Sequence, residues 1–112
     1  MNNLNLSRNQ NTPKETLILL ATDEDSDVRC GVARNQNTPQ KTLNTLATDE
    51  NSWVRRGVAE NQNTSKETLI LLATDEDCDV RCGVARNQNT PTIEKLQEKI
   101  KELQEEIARL KK

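Results

Sequence analysis

A chain of 112 residues with 32% hydrophobic and 1% aromatic side chains holds one domain and an appendage, and is thin in apolar groups for a globule with one central core. No apolar run approaches membrane-spanning length and no signal-peptide pattern opens the chain, so no membrane partner is expected and the default location is cytoplasmic. The three cysteines, an odd number at repeat positions, read as reduced thiols rather than a disulfide framework.

The net charge of −2 informs only when divided by segment. Residues 9–34 carry three basic and five acidic side chains, residues 35–60 three and three, residues 61–86 three and five, and the tail from Asn87 six and five. No segment forms the basic stripe that a phosphate backbone requires, so nucleic acid is not an expected partner.

What fills the chain is a 26-residue unit written almost three times. Asn9 to Arg34 reads NQNTPKETLILLATDEDSDVRCGVAR, Asn35 to Glu60 reads NQNTPQKTLNTLATDENSWVRRGVAE, and Asn61 to Arg86 reads NQNTSKETLILLATDEDCDVRCGVAR. A fourth copy opens at Asn87 with NQNTP and then departs. Self-similarity at a fixed period marks a solenoid, in which each unit buries its apolar face only against its neighbours. The expected organisation is a partial repeat or cap over residues 1–8, an array over residues 9–91 and a separate helix over residues 92–112.

Within the first unit, Thr12-Pro13-Lys14-Glu15 predicts a helix start, with the Thr hydroxyl as cap and Glu15 completing a capping box. Thr64-Ser65-Lys66-Glu67 keeps that box, while Lys41 breaks it in the second unit. This first helix is short, from about Pro13 to Ala21. Asp25, Asn51 and Asp77 are good N-caps for a second helix running to Ala33, Ala59 and Ala85. The NQNT stretch then reads as a turn, because Asn tolerates left-handed backbone and bonds locally. No strand signal appears.

Comparison of the copies divides core from surface. Leu17, Leu20 and Ala21 recur as Leu43, Leu46, Ala47 and as Leu69, Leu72, Ala73, and Val28 and Val32 recur as Val54, Val58 and as Val80, Val84. These are the expected core. Ile18 and Leu19 become Asn44 and Thr45 in the second unit, so those positions are expected at the surface, because an unpaired buried amide costs about 1–3 kcal/mol. Gly31, Gly57 and Gly83 each cost roughly 1 kcal/mol of helix propensity against Ala, which points to close approach between helices.

The pattern Asn-x-x-Thr-Pro, Leu-x-x-Leu-Ala-x-Asp, Val-Arg-x-x-Val-Ala resembles the leucine-rich repeat variant family, whose arrays look like HEAT-type helical repeats. The resemblance covers residues 9–91 and extends weakly upstream, where Leu6-Ser7-Arg8 takes the Val-Ala-Arg place. It implies an all-α, right-handed α-solenoid of three two-helix repeats, with a 3₁₀-like first helix and an α-helical second. Gln36, Gln62 and Gln88 stand where the family often has Pro, which should loosen the turn. A founding member carries an iron–sulfur cluster in a separate cysteine-rich domain, and nothing here matches that domain.

Chemistry is weakly represented. Cys78 and Cys82 share a helix face, but two thiolates without a His do not complete a zinc shell. Asp23, Asp49 and Asp75 with Arg29, Arg55 and Arg81 read as an Asp–Arg ladder between successive units rather than as catalytic carboxylates. Without a His, a Gly-rich phosphate loop or a nucleophile beside a base, no enzyme, cofactor or metal is expected.

Positions that vary between copies carry more. Asp27, Cys30 and Arg34 become Trp53, Arg56 and Glu60, then Asp79, Cys82 and Arg86. Spacings of three and four put them on one helical face. With Trp53 at its centre beside Arg56, this face is the candidate protein-binding surface, since both residue types are enriched in binding hot spots.

Past Pro91 a heptad takes over, with Ile93, Ile100 and Ile107 at a and Leu96, Leu103 and Leu110 at d. The segment from Leu96 resembles leucine-zipper coiled coils, most closely in LQEEIARLKK. Neither their buried polar a residue nor a DNA-contacting basic region is present. Ile at a with Leu at d favours a parallel dimer, with a trimer as the alternative. Glu106 can pair with Lys111 between helices, while Lys99 faces only Gln104. Such regularity is what a designed addition would show, and an amphipathic helix folded back over the last repeat is the competing expectation.

Overall fold

The computed structural model describes residues 2–111, which form eight α-helices and no strand. After α1 (Asn3–Arg8) come three helix pairs and a long terminal helix. The pairs are α2 (Lys14–Leu20) with α3 (Ser26–Arg34), α4 (Gln40–Leu46) with α5 (Ser52–Glu60), and α6 (Lys66–Leu72) with α7 (Cys78–Arg86). The terminal helix is α8 (Ile93–Leu110).

The longer helices form the spine of the stack. α1 packs on α3, α3 on α5 and α5 on α7, while the shorter helix of each pair lies against its own partner and the preceding spine helix. Each layer buries the same set. Leu17, Leu20, Val28 and Val32 recur as Leu43, Leu46, Val54, Val58 and as Leu69, Leu72, Val80, Val84, all in one continuous core. A fully buried Val or Leu contributes about 1.5–3 kcal/mol, so four per layer suffice only because every layer is sealed by the next. The alanine expectation fails at the chain's far end: Ala47 is buried and Ala21 half-buried, but Ala73 is exposed, because no further helix pair covers it.

The glycines are where the spine helices touch. A methyl group at Gly57 would lie 2.9 Å from the Ala33 methyl, and one at Gly83 would lie 3.1 Å from that of Ala59. At Gly31 the neighbour is the Ser7 hydroxyl, which places Ser7 in the Ala slot and makes α1 the stub of a preceding unit.

The helix starts differ from expectation. Asp25, Asn51 and Asp77 do cap the spine helices, accepting from the Asp27, Trp53 and Asp79 amides. The spine helices run one residue further than predicted, to Arg34, Glu60 and Arg86. At the short helices the Thr hydroxyls cap nothing ahead of them. Thr12, Thr38 and Thr64 are buried and point backwards, donating to Leu6 O, Val32 O and Val58 O, last-turn carbonyls that also accept from the C-cap amides of Asn9, Asn35 and Asn61. Pro13, Pro39 and Ser65 hold the N-cap positions of the short helices instead, and only Ser65 accepts a capping bond, from the Thr68 amide. These helices are α rather than 3₁₀, with Leu17 N–H bonded to Pro13 O and Ala21 N–H to Leu17 O.

The NQNT turn is a staple rather than a solvated bend. No residue among those described has positive φ, so the left-handed Asn expected here does not occur. Asn61 is buried instead: its amide donates to Ala33 O (2.8 Å) and Asn35 O (3.0 Å), and its carbonyl oxygen accepts from Asn63 N–H. Asn35 and Asn87 repeat this one layer earlier and later. Asn37 adds a bond to Thr12 O. Gln36 does not loosen the turn either, since its N–H donates to Gln10 Oε1 at 3.0 Å, a bond that a proline there lacks.

α8 stands apart. Thr92 caps it by accepting from Lys95 N–H, none of its residues is buried, and the more extensive helix packings do not involve it. The expectation of a helix folded over the last unit is therefore not met.

Candidate functional site

The spine helices position the variable face because their opposite face is committed to the core. Val54 and Val58 fix the rotation of α5, which leaves Trp53, Arg56 and Glu60 outward. Trp53 is 59% exposed. The Arg56 guanidinium lies 5.3 Å from its ring centroid, within cation–π range, and donates from Nε to Glu60 at 2.6 Å. Arg34, one layer earlier, reaches the other Glu60 oxygen at 3.2 Å. Cys30 is half-buried beneath this group and its thiol contacts Trp53 O at 3.5 Å. Burial alone would raise the Glu60 carboxyl, but the hydrogen bonds and charges of Arg56 and Arg34 outweigh it and hold Glu60 below the usual carboxylate range.

The remaining variable positions line two copies of one groove. Near α1 it is bounded by Arg8, Gln10, Asp27, Cys30, Gly31 and Arg34, with a volume of about 300 Å³. Two units on, Glu60, Gln62, Asp79, Cys82, Gly83 and Arg86 take the same places, with Arg56 and Asn87 added, around about 410 Å³. Between them sits the Trp53–Arg56–Glu60 cluster. All nine variable residues thus lie along one side of the spine. The sequence comparison missed Arg8, Gln10, Gln62 and the glycines at the groove floor, because these do not vary between units or belong to the partial first one.

The Asp–Arg ladder joins successive layers. Arg29 bridges to Asp49 and Arg55 to Asp75, each at 2.8 Å through Nε and with both side chains largely buried. Each arginine also donates to a carbonyl of its own unit, Asp23 O and Asp49 O. Such bidentate pairs fix the spacing of successive layers. Burial would raise Asp75, but the Arg55 guanidinium and the Asp77 amide hold it below the usual carboxylate range. Asp23 is held low by the Asp25 amide and by Asn3, which stands where later units carry the arginine.

The sign of the pH effect follows. Asp75 and Glu60 titrate lower folded than unfolded, so their stabilisation is complete at neutral pH and is lost as pH falls from about 4 through the folded values. Thermal unfolding followed by circular dichroism should show a midpoint that drops below about pH 4. Asp75→Asn should lower the midpoint at pH 7 and flatten that acid decline. Parallel curves for the two proteins would remove Asp75 from the acid response.

Among the described residues no group of three or more Cys, Asp or Glu gathers at a point where one metal ion would sit. All three cysteines are free thiols, Cys78 and Cys82 exposed. No helix described is long and apolar enough to cross a membrane. The chain matches no protein-family model, no curated protein and no solved structure at a significant level.

Proposed function

We propose that the chain is a non-enzymatic protein-binding module, a right-handed α-solenoid of three repeats of the leucine-rich repeat variant kind, made multivalent by a coiled coil at α8. The observation that carries the binding reading is Trp53. An indole 59% exposed, held under Arg56, which is in turn fixed by Glu60, offers a large contact at little conformational cost on binding. Grooves on either side of it, lined by both charges, suit a polypeptide partner with charged and amide groups. The partner is then a protein, with no role for nucleic acid, membrane or cofactor, and a cytoplasmic location fits the free thiols.

Selection from a displayed peptide library on the purified chain tests this. Enriched peptides should quench or shift Trp53 fluorescence on titration and bind Trp53→Ala at least about tenfold more weakly, a loss of about 1.4 kcal/mol. Peptides indifferent to Trp53 would shift the reading to a structural module with α8 as the joint.

The seam of α8 supports the assembly half of the proposal. Ile93, Leu96, Ile100, Leu103, Ile107 and Leu110 all lie exposed on one stripe. A lone 18-residue helix is marginal in water, and mutual burial of that stripe supplies what it lacks. A parallel homodimer is the expected state, with a trimer as the alternative, and pairing raises avidity without new contacts. Sedimentation equilibrium should find the full chain dimeric and a version ending at Thr92 monomeric. An intact chain running as a monomer would eliminate the coiled coil.

A further inference from the structure

The third unit carries the first unit's sequence almost unchanged. Residues 14–39 and 66–91 differ only where Ser26 becomes Cys78, an oxygen exchanged for a sulfur. Their surroundings are nevertheless opposite. In the first unit Ser26, Arg29 and Cys30 are partly covered and Ala33 is fully buried, because α5 packs on α3. In the third, Cys78, Arg81, Cys82 and Ala85 are all exposed, α8 notwithstanding.

What covers a face of this sequence is therefore visible within the same molecule. On α3 the second unit supplies four complementary groups. Asp49 takes the Arg29 guanidinium, Glu60 accepts from Arg34, and Gly57 lets the helices meet at Ala33. Asn61 donates to Ala33 O and Asn35 O. On α7 the matching groups stand ready. Arg81 donates to Asp75 O, the same bond that holds Arg29 on Asp23 O and Arg55 on Asp49 O, so its guanidinium is already posed. Among the described residues no carboxylate pairs with Arg81 or Arg86, and no side-chain amide donates to Ala85 O.

We propose that this end of the stack is a docking site for a helix pair of the second unit's chemistry, borne by another polypeptide. Its recognition groups are carboxylates in the places of Asp49 and Glu60, a glycine in that of Gly57 and an amide in that of Asn61. Charge complementarity argues for this occupant. Arg81 and Arg86 present two cations without a described acid, and both filled layers, Arg29–Asp49 and Arg55–Asp75, seat an aspartate on the arginine. A second copy of this chain answers the face poorly. Its own α4 and α5 are enclosed between neighbouring layers, and α1 carries Asn5 where α5 has Gly57 and Arg8 where α5 has Glu60. A methyl group at Gly57 would already lie 2.9 Å from the Ala33 methyl, so the larger Asn5 clashes, and Arg8 would meet Arg86 with like charge. The site depends on neither Trp53 nor the pairing of α8.

A cysteine-free peptide spanning residues 39–64, labelled at its N-terminus with fluorescein, probes the site by fluorescence anisotropy against the full chain. Saturable binding of one peptide per chain is expected, with modest affinity because the peptide orders only on docking. Arg81→Ala in the chain and Asp49→Asn in the peptide should each weaken it about tenfold. The two together should weaken it no more than either alone, the mark of a direct pair. Ala85→Arg should abolish binding, and Trp53→Ala in the chain should leave it unchanged, which separates this site from the Trp53 face. Circular dichroism should show all three chain variants folded, since each of these positions is exposed. No saturable binding up to about 1 mM chain would overturn the proposal. Binding indifferent to Arg81→Ala and Ala85→Arg would also overturn it, because the peptide would then dock elsewhere. Loss of self-association in Ala85→Arg, with no peptide binding to the parent, would assign the face to a second copy instead.

Discussion

Val54→Asp is expected to unfold the array. Val54 is 0% exposed, sits in the middle layer and packs within the core that runs through all three helix pairs. An aspartate there brings a charge into a site with no cation to meet it, at a cost of several kcal/mol, comparable with the 5–15 kcal/mol total stability of a small domain. Because layers support one another, the loss should not stay local. Circular dichroism at 25 °C should show the helical signal of residues 3–86 lost, leaving at most that of α8. The contrasting change is Asn44→Ile, at an exposed position where the flanking units carry Ile18 and Ile70. It removes one bond, from the Thr68 hydroxyl to the Asn44 carbonyl oxygen, and should cost no more than about 1 kcal/mol. Equal damage from the two would refute the division of core from surface.

Asn61→Ala should be clearly destabilising without touching an apolar side chain. The substitution takes the side-chain donor from Ala33 O in a buried place, removes one of the two donors to Asn35 O, which keeps Thr38 N–H, and frees the N–H of the exposed Asn63. An unsatisfied buried group costs about 1–3 kcal/mol, so a loss of about 1–3 kcal/mol is expected. Urea unfolding should show a midpoint shift of matching size. Gln62→Ala, the next residue and exposed, should stay within about 0.5 kcal/mol of the parent. Similar midpoints for both would mean that the turn is not the staple described above.

The two substitutions mark the boundary of what the sequence reveals. Val54 was legible because apolar residues recur at helical spacing in every copy, and burial follows from that periodicity alone. The exposure of Asn44 was equally legible, because an amide and an isoleucine cannot share a sealed site. Asn61 was misjudged for a definite reason. Asn in a polar stretch between helices has a strong local role in turns, and its real partners lie 26 and 28 residues away. The available signal was that NQNT recurs unchanged at residues 9, 35, 61 and 87, although a solvated turn has no need of identity. The threonines followed the same path. Read locally, Thr12 caps the helix ahead, but its buried hydroxyl turns back and donates to Leu6 O in the last turn of the helix behind it.

By itself, then, the sequence determined the all-helical pairs, their period, the apolar core and the separate character of the tail, because all of these rest on short-range spacing and propensity. It also placed Asp27, Cys30, Arg34, Trp53, Arg56, Glu60, Asp79, Cys82 and Arg86 on one side of the spine, since one helical face follows from the core on the other. The Asp–Arg ladder and the close approach at the glycines were legible in the sequence, but only the tertiary structure gave their partners and revealed the asparagine staples. The Arg–Asp bridges, the asparagine staples and the glycine contacts each join residues about 20–28 positions apart, at distances that chain spacing does not specify. It alone showed the inequality of the two ends. Identical positions on α3, α5 and α7 differ in exposure solely because the last has no layer beyond it, and burial in a stack belongs to the neighbour as much as to the residue.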